Sequence, residues 1–361
     1  MEKKVPFIVA ELGTSHGGDE QKTRELIAAA AEAGADCVKC QIIFAAEILH
    51  PKTGNVLLPG GEMPLFELFK ALERDQKFYE MVKNEAEKRS VRFLAAPYGP
   101  RSAALLKNLS PDAVKIASPE LNYTGLVKEL ASWGLPVFLS TGVSTLGDIE
   151  EAIAAIAGAS PVPPDITLLH CVTAYPAPPG DYNLRVLPNL GGVFGCRVGL
   201  SDHSLDPLLV PVLGYAMGAT VIEKHFCLSR GGPGLDDPIA LTPEAFKQMC
   251  DGLNRVSSLG AGEIIGEMER EYSRELVAET LGDGVKALPP SEKPNYGRTN
   301  RSIHAVCDIA EGETVTKDMI AVLRTEKNLR PGLHPRWESL ILGRKARNGI
   351  PAGEGVTFED V

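Results

Sequence analysis

No stretch of this 361-residue chain approaches the roughly 18 consecutive apolar residues of a membrane-spanning helix, so none is expected. Positive charge is also in deficit. The formal net charge is −10, whereas a general nucleic-acid binder needs clustered Lys and Arg to meet phosphates. An anionic small substrate stays open, because local cations override the global sign. The amino terminus, Met1-Glu2-Lys3-Lys4-Val5-Pro6, runs into an apolar strand without a signal-type segment, and a soluble, cytoplasmic protein is the expectation. The seven cysteines are scattered and odd in number, which suits a reducing compartment better than a disulfide framework. Cys37 and Cys40 form a C-x-x-C, but residues three apart on a strand face opposite ways, so both read as small core residues.

What is present is ordinary globular composition, 44% hydrophobic and 23% charged, at a length that suits one barrel of about 250 residues plus a small module. Apolar runs alternate with helical patterns, the signal for repeated βα units around a parallel sheet. Strands are expected at Phe7–Gly13, Cys37–Gln41, Val91–Pro97, Ala113–Ser118, Pro136–Thr141, Ile166–Val172, Arg197–Asp202 and Val221–Phe226. Helices are expected at Lys22–Ala33, Phe78–Lys88, Ala103–Asn108, Leu126–Ser132, Gly147–Ala157 and Pro243–Leu259, the last with Thr242 as N-cap. A long excursion from Ile42 to about Arg74 holds Gly60-Gly61 and a short amphipathic piece. Eight such units point to an α/β fold, a closed (β/α)8 TIM barrel over residues 1–266. A Gly- and Pro-rich linker follows over 267–295, then a small β-rich domain over 296–361, inside which Ile309–Thr316 is echoed by Ile350–Thr357.

In such a barrel chemistry lies at the carboxyl ends of the strands. The polar residues there are Glu11; Lys39 and Gln41; Lys115, Ser118 and Glu120; Ser140-Thr141-Gly142; His170, Thr173 and Tyr175; Ser201-Asp202-His203; and Glu223-Lys224-His225. Two readings of the lysines stand side by side. Lys39 and Lys115 either neutralise Glu11, Glu120 or Glu223 as structural ion pairs, or they form with Ser118, Ser140, Ser201 and Gly142 a cradle for a phosphate or carboxylate. His203 and His225 are either hydrogen-bonded, partly buried histidines or ligands of a divalent ion acting as a Lewis acid; oxygen co-ligands would suit Mn²⁺ or Mg²⁺ more than a structural zinc.

The series Val9-Ala10-Glu11-Leu12-Gly13, Gly34–Gln41, Val114–Glu120, Leu139–Gly142, Leu169–Cys171 with Tyr175-Pro176, Gly199–His203 and Glu223–Phe226 resembles the sialic acid synthase family, the N-acetylneuraminate and spore-coat polysaccharide synthases. The tail, with Asn300-Arg301-Ser302 and Arg330-Pro331-Gly332, is similar to the antifreeze-like (SAF) domain of these enzymes. The resemblance implies condensation of phosphoenolpyruvate with an open-chain N-acylated amino sugar aldehyde, N-acetylmannosamine-like, to a nine-carbon 2-keto acid with release of phosphate. By the same resemblance Lys39, Lys115, Ser118, Ser140 and Ser201 hold phosphoenolpyruvate and Glu11 is a catalytic acid/base. Gln41, Tyr175, Glu223 and Asp236 face the sugar, and His203 and His225 hold Mn²⁺ or Mg²⁺. It further implies a domain-swapped homodimer in which Arg301 reaches the acyl group in the partner's barrel. The sequence departs from the family pattern at Ser15-His16-Gly17-Gly18, at Ala96-Pro97-Tyr98-Gly99, where a hydroxyl contact to phosphate is missing, at Leu235-Asp236-Asp237 and at Ala240, so the sugar is left open. Two other classes remain: a metal-dependent pyruvate aldolase, which needs no phosphate cradle, and a non-catalytic carbohydrate-binding protein.

Overall fold

The computed structural model describes residues 5–58, 61–160, 162 and 164–361. Eight parallel strands form one sheet: β1 (Phe7–Glu11), β2 (Cys37–Ile42), β3 (Arg92–Pro97), β4 (Val114–Ile116), β5 (Val137–Ser140), β6 (Ile166–Cys171), β7 (Arg197–Asp202) and β8 (Val221–His225). Their hydrogen-bonded order is β3-β2-β1-β8-β7-β6-β5-β4. Because β3 also lies beside β4, the sheet curls into a nearly closed barrel. The strands are short, apolar and buried on both faces, as parallel strands under a helical layer must be. Register aligns the chemistry at the rim: Glu11 is level with both Lys39 and His225, and Glu223 with Ser201.

Two cores hold the barrel. Val9, Cys37, Leu94, Leu169 and Val221 fill its interior, while Cys40, Val38 and Ile42 join the large layer between sheet and helices. Cys37 and Cys40 therefore face opposite sides, both thiols pushed up by burial, as inert core residues should be.

The helices follow the capping chemistry. Glu20–Glu32 begins two residues earlier than its periodicity suggests, because the Asp19 carboxylate accepts from Lys22 N at 2.7 Å. Within the barrel's repeating units the sequence reading does not show the helices Val186–Phe194 and Leu209–Ala216. Each carries a proline third in line, within the first turn where a missing N–H costs nothing. Leu209–Ala216 is nearly all apolar and packed, so it has no polar stripe to announce it. The long excursion holds a hairpin, Asn55–Leu58 with Gly61–Pro64, and the helix Leu65–Ala71; Gly60 lies outside the described residues.

The stretch read as linker starts inside a helix, Ala261–Glu271, and continues into a second, Arg274–Leu281; both pack on Leu209–Ala216. The irregular connector proper is 282–300. Beyond it, Arg301–Ala305 pairs antiparallel with Ile320–Arg324 over a separate core that includes Ile303, Ile309, Val315, Ile341, Ile350 and Val356. The two echoed stretches meet there, Ile309 and Ile350 exchanging both backbone hydrogen bonds at 2.9 Å. Among the described residues no helix is long and apolar enough to cross a membrane.

Three further histidines are buried, and burial lowers His16 to about 4, His170 to about 3 and His304 to about 4. The unfolded chain takes up these protons below about 6.5, the folded chain only near 4. Their contribution is therefore complete above about pH 6.5 and lost as pH falls toward 4. We expect the thermal midpoint to hold steady between about pH 8 and 7 and then fall progressively; a midpoint unchanged down to about pH 4.5 would contradict this assignment.

Candidate active site

Strand alternation decides which rim residues look inward. Glu11, Lys39, Lys115 and Glu223 do, and they meet in one buried group. Lys39 Nζ lies 2.9 Å from Glu223 Oε1 and 3.1 Å from Glu11 Oε2. Lys115, 2% exposed, donates to Ser140 Oγ at 2.7 Å and lies 3.5 Å from the same Glu223 oxygen, which also accepts from Ser201 Oγ at 3.0 Å. Ser118 Oγ accepts from Gly142 N at 3.0 Å. Gln41 donates to Glu11 Oε1 at 2.7 Å.

The four charges are not equivalent. Burial opposes the ionisation of Glu223, but Lys115 and Lys39 flank it and hold its pKa down to about 2. Glu11 shares one lysine and feels Glu223, so burial pushes its carboxyl above the ordinary value. Burial and the repulsion of Lys39 bring Lys115 below its ordinary value against the pull of Glu223. Lys39, despite burial, is held above its own by Glu11 and Glu223. A carboxyl pushed up beside one pushed down is the pattern of an acid and a fixed charge. The lysines are thus paired with Glu11 and Glu223, and Lys115 also donates to the Ser140 hydroxyl. Glu120 belongs to neither lysine. Glu223, implied by the resemblance to face the sugar, lies among the lysines, and Gln41, likewise implied there, donates to Glu11.

Beside this group stand the imidazoles. The rings of His203 and His225 are 5.3 Å apart, and Tyr175 stacks on His203 at 4.4 Å while remaining 54% exposed. His203 Nδ1 is 2.8 Å from Val172 O, a bond that fixes its tautomer and leaves Nε2 as the lone-pair nitrogen. His225 Nδ1 is buried without a partner, and burial lowers this imidazole to about 4. Asp236 is drawn in by Thr14, whose N and Oγ1 both donate to Oδ2 at 2.9 Å. Gly13, at φ +47°, makes this approach possible, since a Cβ there would sit 2.4 Å from Asp236 Oδ2 and 3.2 Å from His225 Nδ1.

A network behind the wall was not foreseen. Lys224 faces away from the mouth and bonds Asp202 Oδ2 and Ser204 O, each at 2.5 Å, with no solvent exposure of the charged groups. Asp202 Oδ1 also accepts from the Tyr182 hydroxyl, whose oxygen accepts in turn from His203 N at 2.8 Å. Alternation along β7 and β8 pairs Lys224 with Asp202, a legible signal; nothing in the sequence marks Tyr182.

The resemblance implies that Arg301 sits in a partner's barrel against an acyl group; within the single chain it lies against that chain's own barrel, fully buried. Its Nε is 3.1 Å and its Nη2 3.0 Å from Glu120 Oε1, Nη2 also donates to Tyr98 O at 2.8 Å, and Nη1 donates to Glu47 O at 2.6 Å. Arg324, its partner across the hairpin, takes the same Glu120 oxygen at 2.7 Å. The donors are engaged by protein, so Arg301 docks the tail.

The NeuB family's sequence profile matches residues 26–264 and that of the SAF domain matches residues 300–361. The chain belongs to the NeuB family. Its relatives include the spore coat polysaccharide biosynthesis protein SpsE of Bacillus subtilis, 34% identical over 98% of this chain and 93% of that protein. The crystal structure of that protein superposes with a TM-score of 0.81 over 99% of this chain and 95% of the other, at 33% identity. The N,N'-diacetyllegionaminic acid synthase of Campylobacter jejuni is 30% identical over 89% of this chain and 91% of the relative, and the pseudaminic acid synthase of the same species 31% over 99% and 97%. In this NeuB-family chain Tyr182→Phe leaves the His203 amide without its acceptor, at a cost of ~1–3 kcal/mol. A denaturant titration should read that loss; an unchanged midpoint would remove Tyr182 from the network.

Proposed function

We propose that the chain condenses phosphoenolpyruvate with the open-chain aldehyde of an N-acylated amino sugar, N-acetylmannosamine-like, giving a nine-carbon, sialic acid-like 2-keto acid and inorganic phosphate. The observation that supports it most is the meeting of two buried ammonium groups with Ser140 and Ser201 beside the imidazole pair, with Ser118 at the neighbouring turn. A pyruvate aldolase has no phosphate to place there. The named activities of the relatives, synthesis of N,N'-diacetyllegionaminic acid and of pseudaminic acid, support a synthase and differ from each other in the product.

In this reading Lys39, Lys115 and the hydroxyls of Ser118, Ser140 and Ser201 take the carboxylate and phosphate of phosphoenolpyruvate, which compete with Glu223 for the two ammonium groups. Glu11, its pKa raised, carries a proton. As the methylene carbon of phosphoenolpyruvate bonds the aldehyde carbon, that proton passes to the aldehyde oxygen. Water then adds to the neighbouring, phosphate-bearing carbon, left electron-poor, and returns one proton to Glu11; the bond from that carbon to the phosphate oxygen breaks, the remaining hydroxyl proton leaves with the phosphate, and the 2-keto group is left. Positive charge from Lys39 and Lys115 stabilises the departing phosphate. Tyr175 and Asp236 form the wall toward the sugar, Tyr175 offering an exposed ring face.

His203 and His225 fit a metal ion. One imidazole has its tautomer fixed, the other has an unpartnered buried nitrogen, and Gly13 leaves the space between His225 and Asp236 open. Among the described residues no group of three or more His, Cys, Asp or Glu could close around an ion, so oxygen ligands from outside the chain would complete the shell, as Mn²⁺ or Mg²⁺ prefers. When bound, such an ion supplies Lewis-acid polarisation of a carbonyl oxygen. A domain-swapped homodimer, in which Arg301 would reach the acyl group in the partner's barrel, is part of the proposal.

The test is phosphate release measured with phosphoenolpyruvate, Mn²⁺ and a panel of acylated amino sugars. Release that needs both substrates is expected; pyruvate turnover without phosphate, or no turnover with any sugar, would overturn the reading.

A further inference from the structure

Among the non-glycine residues at positive φ in the described chain, Ser90, Ser110, Val143, Asn183 and Glu326, Val143 alone is β-branched. At φ +42° it stands where a branched side chain is an outlier, and such a conformation persists only when its surroundings impose it. The residue is fully buried and directly follows Ser140-Thr141-Gly142, the turn whose Ser140 meets Lys115 and whose Gly142 N donates to Ser118 Oγ.

What imposes it comes from outside the barrel strands. Val143 N donates to Glu292 Oε1 at 2.8 Å, and Val143 O accepts from Asn300 Nδ2 at 2.9 Å. The connector thus grips both polar groups of the strained residue. The same Glu292 oxygen accepts from Thr173 N at the β6 exit, and Lys286 Nζ donates to Thr141 O at 3.0 Å. Glu292 is fully buried, with its second oxygen and the nearby Thr173 hydroxyl both lacking partners. The space is tight as well: a Cβ on Gly142 would sit 2.2 Å from Thr173 Oγ1 and 2.9 Å from Ser118 Oγ.

We infer that Glu292 and Asn300 are positioning residues: by holding Val143 at positive φ they fix the Ser140-Thr141-Gly142 turn against Ser118 and thereby set the affinity for phosphoenolpyruvate. The functional half rests on the synthase reading above. It assigns the connector a role on the phosphoenolpyruvate side of the site. Without the carboxylate, Val143 relaxes to negative φ, the Gly142–Val143 peptide turns, and Gly142 N leaves Ser118.

Glu292→Ala is expected to raise the phosphoenolpyruvate KM about tenfold or more, the scale of a charge-assisted hydrogen bond, with the sugar KM changed by less than about twofold. Glu292→Gln, which keeps an acceptor oxygen, should recover most of this. Val143→Gly placed on Glu292→Ala should also recover it, because glycine takes positive φ without a Cβ penalty. Equal rises in both KM values, or no recovery with glycine, would overturn the inference. Should Glu292→Ala not fold, Asn300→Ala, which removes the bond to the Val143 carbonyl, carries the same comparison. The conformational half needs no substrate: a crystal structure of either alanine variant should show Val143 at negative φ, and Val143 still at positive φ overturns the inference whatever the chain catalyses. If the unaltered protein fails to bind phosphoenolpyruvate in a calorimetric titration, the synthase reading falls instead, and the conformational result is judged alone.

Discussion

Lys115→Met is expected to cut phosphate release from phosphoenolpyruvate by about 10²–10³-fold, the usual loss when one fixed positive or donor group is removed from a site where negative charge develops. Lys115 is buried to 2% exposure, bonded to Ser140 and 3.5 Å from Glu223. Methionine has similar length and no charge, so the slot stays filled. Glu223 keeps Lys39 at 2.9 Å and Ser201 at 3.0 Å, and is not left as an isolated buried charge. Burial already holds Lys115 below its ordinary pKa, so exchanging it for an apolar group relieves a desolvation cost. The expected signature is a large loss of turnover with a nearly unchanged melting temperature. Lys115→Arg should not restore activity, since a planar fork cannot occupy the place of a point charge packed on all sides. Turnover within about threefold of the parent, measured by continuous phosphate release, would return Lys115 to the role of a structural ion pair.

Arg301→Ala should act in the opposite way, on stability first. Removing Arg301 takes one of two arginines from Glu120 and leaves buried acceptors without a donor, about 1–3 kcal/mol for each such group. Here Glu120 would keep only Arg324, and the carbonyls of Tyr98 and Glu47 would lose their donor. Limited proteolysis is expected to release the tail from the barrel, and both KM values should suffer. A variant that melts like the parent and raises only the sugar KM would restore Arg301 to direct contact with the acyl group. The comparison matters because the family resemblance implies contact, while the geometry of the single chain engages the guanidinium with protein acceptors.

How much could be read without coordinates depended on how each feature is encoded. The eight strands were legible because a strand buried on both faces must be a short apolar run, and none of the eight sits elsewhere. β4 is shorter than expected, since Ala117-Ser118-Pro119 turns the chain at once into the single turn Ser118–Glu120. Helices with a polar face were found and the nearly all-apolar Leu209–Ala216 was not. At the rim, residue types were legible but directions were only half so. Glu11, Lys39, Lys115, Ser118, Ser140, Ser201, His203 and His225 gather at one mouth. Alternation could not say that Glu223 would spend both neighbours on lysines. The connector was the least legible: its glycines and prolines spoke for a loop, and Glu292 among them carried no sign of lying fully buried 119 positions away from the amide of Thr173 that it caps.

The barrel closes by pairing its first strand with its last, Phe7 level with Val221 and Glu11 with His225, and its rim is then finished by Glu292 and Arg301 from still later in the chain. A ribosome emits these parts in order, amino end first. For most of its synthesis the nascent polypeptide therefore owns lysines and imidazoles with no finished pocket to house them. A cell making this protein holds no half-built version with a finished barrel mouth before translation has passed the tail's first strand.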